Sequence, residues 1–537
     1  MNIAHRISEA AKLYPEKKSV VFSKRKSDGT YDYPSYTFKE FEERSNQIAN
    51  RLVSLGITKG TRTLLFVKPC LDFSVITFAL FKVGAIPVLI DPGMGMKNLL
   101  SSIKQVKPQA MLSIGLVHWV RRLKPSSFRD VKIKISLNRV GGNTHYLYEN
   151  LDTESRSFTP VTVSASDYSA ILFTSGGTGI PKGVLYTHGI LNAQTDALKA
   201  MFHLNQDQTD IPGFPLFALF TLAMGMTSVI PDMDPTKPAQ CDPARIVKNI
   251  LDHNATFVAG SPSIWERVGK YCEKEKITLP SIKYLVMFGA PVRLEMHQLL
   301  KKILPHGDTF TPYGATECLP VSLISGSEVL EKKAPQMLEG HGTCIGKAVP
   351  GVKIKIIKTT DIPESQLTEL PPGEIGEIAV SGLQVTPAYF DMAEETMKAK
   401  IQLNNELWHR MGDLGWMDHD GHLWFMGRKA HRVEALDQTF YSIQVESIFN
   451  QHHDIKRTAL IKLNRNGKIT PALVIERHDK ATTMTENFLN DLRKLSQKKD
   501  FTKPITNYFL HSGFPVDVRH NIKIDRAKLS VWAQEKG

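Results

Sequence analysis

The densest chemistry in the chain lies between Ile171 and Gly183. A short apolar run, Ile171, Leu172 and Phe173, leads into Thr174, Ser175, Gly176, Gly177, Thr178, Gly179, Ile180, Pro181, Lys182 and Gly183. Such a loop can bring backbone N–H groups, hydroxyls and one cation to a polyphosphate, and its glycines permit close approach and φ > 0 turns. It is not a Walker A loop, in which Gly-Lys is followed by Ser or Thr; here Lys182 is followed by Gly183 and Val184. The plainer alternative is a glycine-rich connection from a strand to a helix. Two more turns, Gly260–Ser263 and Gly289-Ala290-Pro291, end runs that read as strands. Ligands of parallel α/β sheets sit beyond the carboxyl ends of strands, so these turns are expected to border one site with the 174–183 loop.

The elements that would position these residues alternate along the chain. Thr37 and Glu40 form a capping box, followed by Phe41, Ile48, Leu52 and Leu55 at helical spacing and closed by Gly56. Residues 63–67 read as a strand, 71–83 as a buried helix, 85–91 as a strand, and 111–114, 168–174, 255–259 and 284–288 as further strands. This alternation predicts an α/β fold with a mainly parallel sheet. Beyond residue 340 the texture changes. Residues 352–358 alternate like a half-exposed strand, and 412–425 read as two strands around an Asp-Gly turn, which predicts a smaller antiparallel β subdomain. After Arg428 a helix at 443–450, a strand near 458 and a helix at 487–495 predict a separate C-terminal domain. The expected domains are therefore 1–427, with 340–427 as the β subdomain, and 428–537.

With 42% hydrophobic and 23% charged residues, the chain has the composition of an ordinary globular protein. The net charge of +13 reads as a diffuse basic surface, since Lys and Arg alternate with Asp and Glu along most of the chain. No nucleic-acid partner is expected. Five scattered cysteines without a Cys-x-x-Cys spacing fit free thiols in a reducing compartment. The N-terminal residues lack the apolar region of a signal peptide. A cytoplasmic location is expected, and the basic surface permits peripheral association with a membrane or with pathway enzymes. Residues 213–231 carry no charge, but Pro215 and Gly225 interrupt them. They read as a buried segment or the wall of an apolar pocket rather than a membrane span.

In order and over nearly the whole chain, the loop at 174–183, Gly289-Ala290-Pro291, Tyr313-Gly314-Ala315-Thr316-Glu317, Met411-Gly412-Asp413, Gly427-Arg428 and a late Lys523 resemble the adenylate-forming superfamily. That group includes acyl-CoA synthetases, luciferases and the adenylation domains of peptide synthetases. The resemblance implies a large N-terminal domain of αβ layers with a small β subdomain, and a mobile α+β C-terminal lid. It implies ATP and Mg²⁺, and it assigns roles. Lys182 and the amides and hydroxyls of Thr174, Ser175, Gly176, Gly177, Thr178 and Gly179 would hold the departing pyrophosphate. Glu317 would hold Mg²⁺, Thr316 would bond the α-phosphate, and Asp413 would accept both ribose hydroxyls. Tyr313, with Gly314 beside it, and Gly289, Ala290 and Pro291 would sandwich adenine. Arg428 would reach ribose or phosphate, and Lys523 on the lid would bridge carboxylate and α-phosphate. Cations and oriented donors suit such a site because charge gathers at the α-phosphate in the transition state.

The departures from that pattern narrow the reading. Gly177 and Met411 stand where threonine is usual, and Ala430-His431 where a Lys-Asp hinge pair is common. Leu436-Asp437 replace the glycine that lets the pantetheine arm of CoA pass, which argues against CoA as second substrate. Residues 214–220, 230–236 and 515–524 resemble the olefin-biosynthesis β-lactone synthetases. That resemblance implies adenylation of a long-chain 2-alkyl-3-hydroxy fatty acid, whose β-hydroxyl then attacks the acyl carbonyl to give a β-lactone, AMP and pyrophosphate. Phe214, Phe217, Phe220 and Met224 would line the alkyl pocket. Two alternatives stay open: a long-chain fatty-acyl-CoA or acyl-AMP ligase, and a non-catalytic adenylate-binding homologue.

Overall fold

A computed structural model describes residues 1–174, 181–360, 368–465, 467–516 and 524–536. Ser175, Gly176, Gly177, Thr178, Gly179 and Lys523 lie outside the described residues, as does the side chain of Thr174.

The N-terminal part is built on two sheets. The larger runs Lys347–Ala348, Cys318–Ser325, Asp308–Ala315, Tyr284–Met287, Phe257–Gly260, Thr209–Pro212, Thr227–Ile230, Lys18–Phe22 and Ser35–Thr37. The second runs Lys182–Thr187, Tyr168–Thr174, Ile86–Ile90, Arg62–Phe66, Ala110–Ser113, Ile133–Ser136 and His145–Tyr146. Both have parallel centres, as the alternating pattern predicts; the larger has antiparallel margins on both sides, the second only at Lys182–Thr187, since His145–Tyr146 pairs in parallel. The capping box forms: Glu40 N donates to Thr37 Oγ1 at 3.1 Å and Thr37 N to Glu40 Oε2 at 2.7 Å, starting the helix Phe38–Ser54. That helix packs on Leu71–Val83, which is buried along nearly its whole length. Phe41 and Phe78 meet edge to face at 5.8 Å. The fully buried Lys82 reaches across to Glu42 at 2.8 Å, Ser45 at 2.7 Å and Asn46 at 2.6 Å. A charge taken out of water needs such partners; burial pushes its pKa down and Glu42 opposes the shift.

The expected β subdomain is a six-stranded sheet of Thr343–Cys344, Leu423–Arg428, Glu406–Met417, Gly376–Gly382 and Val352–Ile357, with Lys400–Leu403 on Glu406–Met417. Arg428 belongs to its last strand, one residue past the expected boundary. The C-terminal part has its own apolar clusters around a sheet of Ile455–Arg465, Lys468–Arg477 and Asn507–Leu510. The uncharged 213–231 segment divides into the turn Pro215–Phe217, the helix Ala218–Ala223 and the strand Thr227–Ile230. Among the described residues no helix is long and apolar enough to cross a membrane.

Asp418 ties the Asp-Gly turn of the β subdomain together. It accepts from Trp424 Nε1 at 3.1 Å and from the His422 amide at 2.7 Å, and pairs with Lys333 at 3.3 Å. Burial alone would raise its pKa, but these donors and cations outweigh it and hold the carboxyl at about 2. A carboxyl lower in the folded than in the unfolded state adds stability above about pH 4 and loses it as pH falls toward 2. Asp418→Asn is expected to cost about 2 kcal/mol at pH 7. It would be read as a lowered thermal midpoint, with the gap to the parent closing as the pH is taken below about 4.

Candidate active site

The 174–183 loop joins two antiparallel strands, Tyr168–Thr174 and Lys182–Thr187, with Thr174 opposite Lys182. The connection from strand to helix is thus not what this stretch makes. Its ends are pinned by sheet pairing, and Lys182 opens the returning strand. Lys182 Nζ pairs with Glu395 Oε2 at 2.7 Å and lies 4.9 Å over the Tyr389 ring. The Lys182 hydrogen bond, then that from Lys398, lowers the Glu395 pKa.

Thr316 and Glu317 occupy the two-residue turn between Asp308–Ala315 and Cys318–Ser325. Two segments hold this turn. Tyr186 OH donates to Thr316 O at 2.7 Å. The Thr386 amide and hydroxyl donate to Glu317 O at 2.9 and 3.0 Å. Tyr389 OH donates to Glu317 Oε1 at 2.7 Å. Behind them Lys400 Nζ meets Thr386 Oγ1 at 3.3 Å. Burial pushes the Lys400 pKa down to about 8, against the pull of Glu317, and burial holds His409 well below its ordinary value.

Asp413 and Arg428 face each other across the ladder of Glu406–Met417 and Leu423–Arg428. Arg428 Nη1 stands 3.0 Å from Asp413 Oδ1, and Tyr313 OH donates to Asp413 Oδ2 at 2.6 Å. Burial pushes the Asp413 pKa up, opposed by Arg428, while Asp413 raises that of Arg428. Asp413 Oδ1 is buried with no aligned hydrogen bond, so the carboxylate keeps acceptor capacity for hydroxyls.

One cavity of about 2650 Å³ is lined by Lys182, Gly289, Ala290, Pro291, Tyr313, Gly314, Thr316, Glu317, Asp413 and Arg428. Every residue singled out for nucleotide or metal whose side chain is described borders it. Phe217, Phe220 and Met224 line it as well, and Phe217 stacks near Phe288 at 4.5 Å. Phe214 does not line it; it packs on Phe217 at 5.9 Å and so supports the wall rather than forming it. Met411 packs in the core of the β subdomain and also borders the cavity. Ile524, next to Lys523, lines the cavity and bridges Val516. Sequence reasoning missed Tyr389, Glu395, Thr386 and Lys400, which stand about two hundred residues beyond the loop. No local pattern marks them, because their partners Lys182 and Glu317 lie on distant elements.

The fold and this site define a class, and a family profile described as AMP-binding enzyme matches residues 7–390. The chain belongs to that family. It is 37% identical to an olefin β-lactone synthetase of Stenotrophomonas maltophilia, over 99% of this chain and 98% of that protein. It is 39% identical to one of Xanthomonas campestris pv. campestris, over 93% and 91%. Among solved structures it resembles ATP-bound MatB from Rhodopseudomonas palustris, with a TM-score of 0.80, 20% identity and 100% and 99% coverage. The amide bond synthetase McbA from Marinactinospora thermotolerans gives 0.80, 19%, and 99% of each chain.

Hydrogen bonds to a charged group are the strong ones. Asp413→Asn is therefore expected to weaken ATP and AMP binding by about tenfold to a hundredfold. Titration calorimetry would measure this, and undiminished affinity would remove Asp413 from the nucleotide site.

Proposed function

We propose that the protein adenylates a long-chain 2-alkyl-3-hydroxy acid with ATP and closes the acyl-adenylate to a β-lactone. The observation that carries this reading is the single cavity joining Lys182, Glu317, Asp413 and Arg428 to an apolar wall of Phe217, Phe220 and Met224. The likeness to two β-lactone synthetases along almost the whole chain supports it.

In the first step a carboxylate oxygen attacks the α-phosphorus and pyrophosphate leaves. Lys182 neutralises the departing phosphates, and Thr316 and Arg428 face the charge gathering at the α-phosphate. Asp413 holds the ribose hydroxyls, with Tyr313 and Gly289–Pro291 beside the base. Glu317 suits Mg²⁺, because the carboxylate faces the cavity and a hard ion takes one carboxylate together with phosphate oxygens. Bound there, Mg²⁺ would offset phosphate charge. The part that follows Arg428 serves as the lid, and Lys523 on it would act on the α-phosphate.

In the second step the β-hydroxyl oxygen attacks the acyl carbonyl, AMP leaves with the bonding pair, and the hydroxyl proton is lost. The nucleophile is tethered, so the step gains from high effective concentration and needs no path for CoA. Leu436 and Asp437 form the turn between Val433–Ala435 and Gln438–Phe440 with φ of +54° and +59°. This backbone region favours glycine, yet both positions carry side chains. That supports a lid that gives CoA no close passage.

Incubation with ATP and a long-chain 3-hydroxy acid is expected to yield β-lactone, AMP and pyrophosphate with or without CoA, read by mass spectrometry. A thioester formed only with CoA would establish the acyl-CoA ligase reading instead, and no AMP from any acid would establish a silent homologue. Lys523→Ala is expected to slow acyl-adenylate formation by about a hundredfold or more; a normal rate would remove Lys523 from the first step.

A further inference from the structure

The positive charge of the chain is concentrated. Between residues 92 and 148 stand ten lysines and arginines and a single acid, Asp130, a net +9 against +13 for all 537 residues. This segment departs from the mixed pattern of the rest of the chain.

Its apolar and basic residues meet on the helix Gly115–Leu123. Leu116, Trp119 and Leu123 are spaced i, i+3 and i+7, which puts them on one helix face, and they are 67%, 59% and 76% exposed. Val117 and Val120 look the other way, into the cluster that holds Phe128 against the second sheet. The helix therefore has two apolar faces, and the protein covers only one. Arg122 lies over the Trp119 ring at 4.9 Å, and Lys124 and Arg129 are exposed close by in sequence. The neighbouring helix Met96–Val106 opens with Met96, 55% exposed, two residues after Met94, which lines the cavity.

Single exposed apolar side chains are common and need no explanation. Three in line on one helix, inside a segment whose charges are almost all positive, are a different matter. A protein partner of ordinary mixed surface would leave that charge unmatched. A layer of anionic headgroups over acyl chains matches both parts: the cations meet phosphates, while leucines and a tryptophan enter the boundary below them. We propose that the helix Gly115–Leu123 and its basic surround dock the protein on an anionic lipid surface. This goes beyond the reaction proposed above and does not depend on it, because vesicle binding is read without ATP or acid.

The full-length protein would be sedimented with vesicles of phosphatidylglycerol and phosphatidylcholine in equal parts, and with phosphatidylcholine alone. The parent is expected to sediment with the first and stay in solution with the second, and to be released by high salt. Leu116→Ser with Trp119→Ser and Leu123→Ser, and separately Lys124→Glu with Arg129→Glu, should each weaken binding about tenfold or more. All five positions are exposed, so unchanged thermal midpoints are expected to show that both variants fold. Equal binding to neutral vesicles, no binding to either, or full binding by the triple variant would overturn the proposal. A dimer that forms with rising concentration and is lost in the triple variant, without vesicle binding, would assign the face to a second copy of the chain and overturn it too.

Discussion

The turn at Thr316–Glu317 is where three separately built sheets are fastened together. The turn itself belongs to the large sheet, Tyr186 to the second sheet, and Thr386 and Tyr389 to the segment leaving the β subdomain. That last segment also joins the second sheet, through the Val184–Tyr389 bridge and the Phe390 amide on Gly183 O at 2.7 Å. Each bond satisfies a backbone or carboxylate oxygen that burial would otherwise leave costly. The same bonds fix Glu317 and Lys182 relative to each other, although they stand on different sheets. Pre-organisation of this kind is what electrostatic stabilisation of a transition state requires.

Much of this was legible in the sequence because it rests on local rules. The capping box at Thr37 and Glu40, the buried helix Leu71–Val83 and the change of texture after residue 340 each follow from spacing within a dozen residues. The described motif residues, from Lys182 to Arg428, line one cavity. What could not be read were partnerships over long separations. The Lys182–Glu395 pair spans 213 residues, and neither residue type nor spacing announces it. The 174–183 loop reads equally well into a helix or a strand, since its glycines carry no periodicity; only the pairing of Thr174 with Lys182 decides it. Phe214 had the right composition for a pocket wall, but the turn at Pro215–Phe217 sets it against Phe217 instead.

The uncharged 213–231 segment shows how one sequence property can serve two ends. Its strand Thr227–Ile230 lies inside the large sheet, where lack of charge is a condition of burial. Its helix and turn border the cavity, where the same lack of charge makes an apolar wall. Met411 is similar: next to a site motif in sequence, its side chain fills the subdomain core. It also borders the cavity beside Asp413, so its difference from the usual threonine bears on both the packing and the site wall.

On the proposed reading, in which Lys182 takes phosphate, its pair with Glu395 makes the site an ion exchanger. Before any phosphate enters, the lysine already has a counterion at 2.7 Å, so its charge is never desolvated alone. A phosphate gains this cation only by displacing a carboxylate, and its net gain is the difference between two similar interactions. The same arithmetic runs in reverse when pyrophosphate departs, because Glu395 stands ready to retake the lysine. On that reading a weak net grip at this position would shorten the residence of the product.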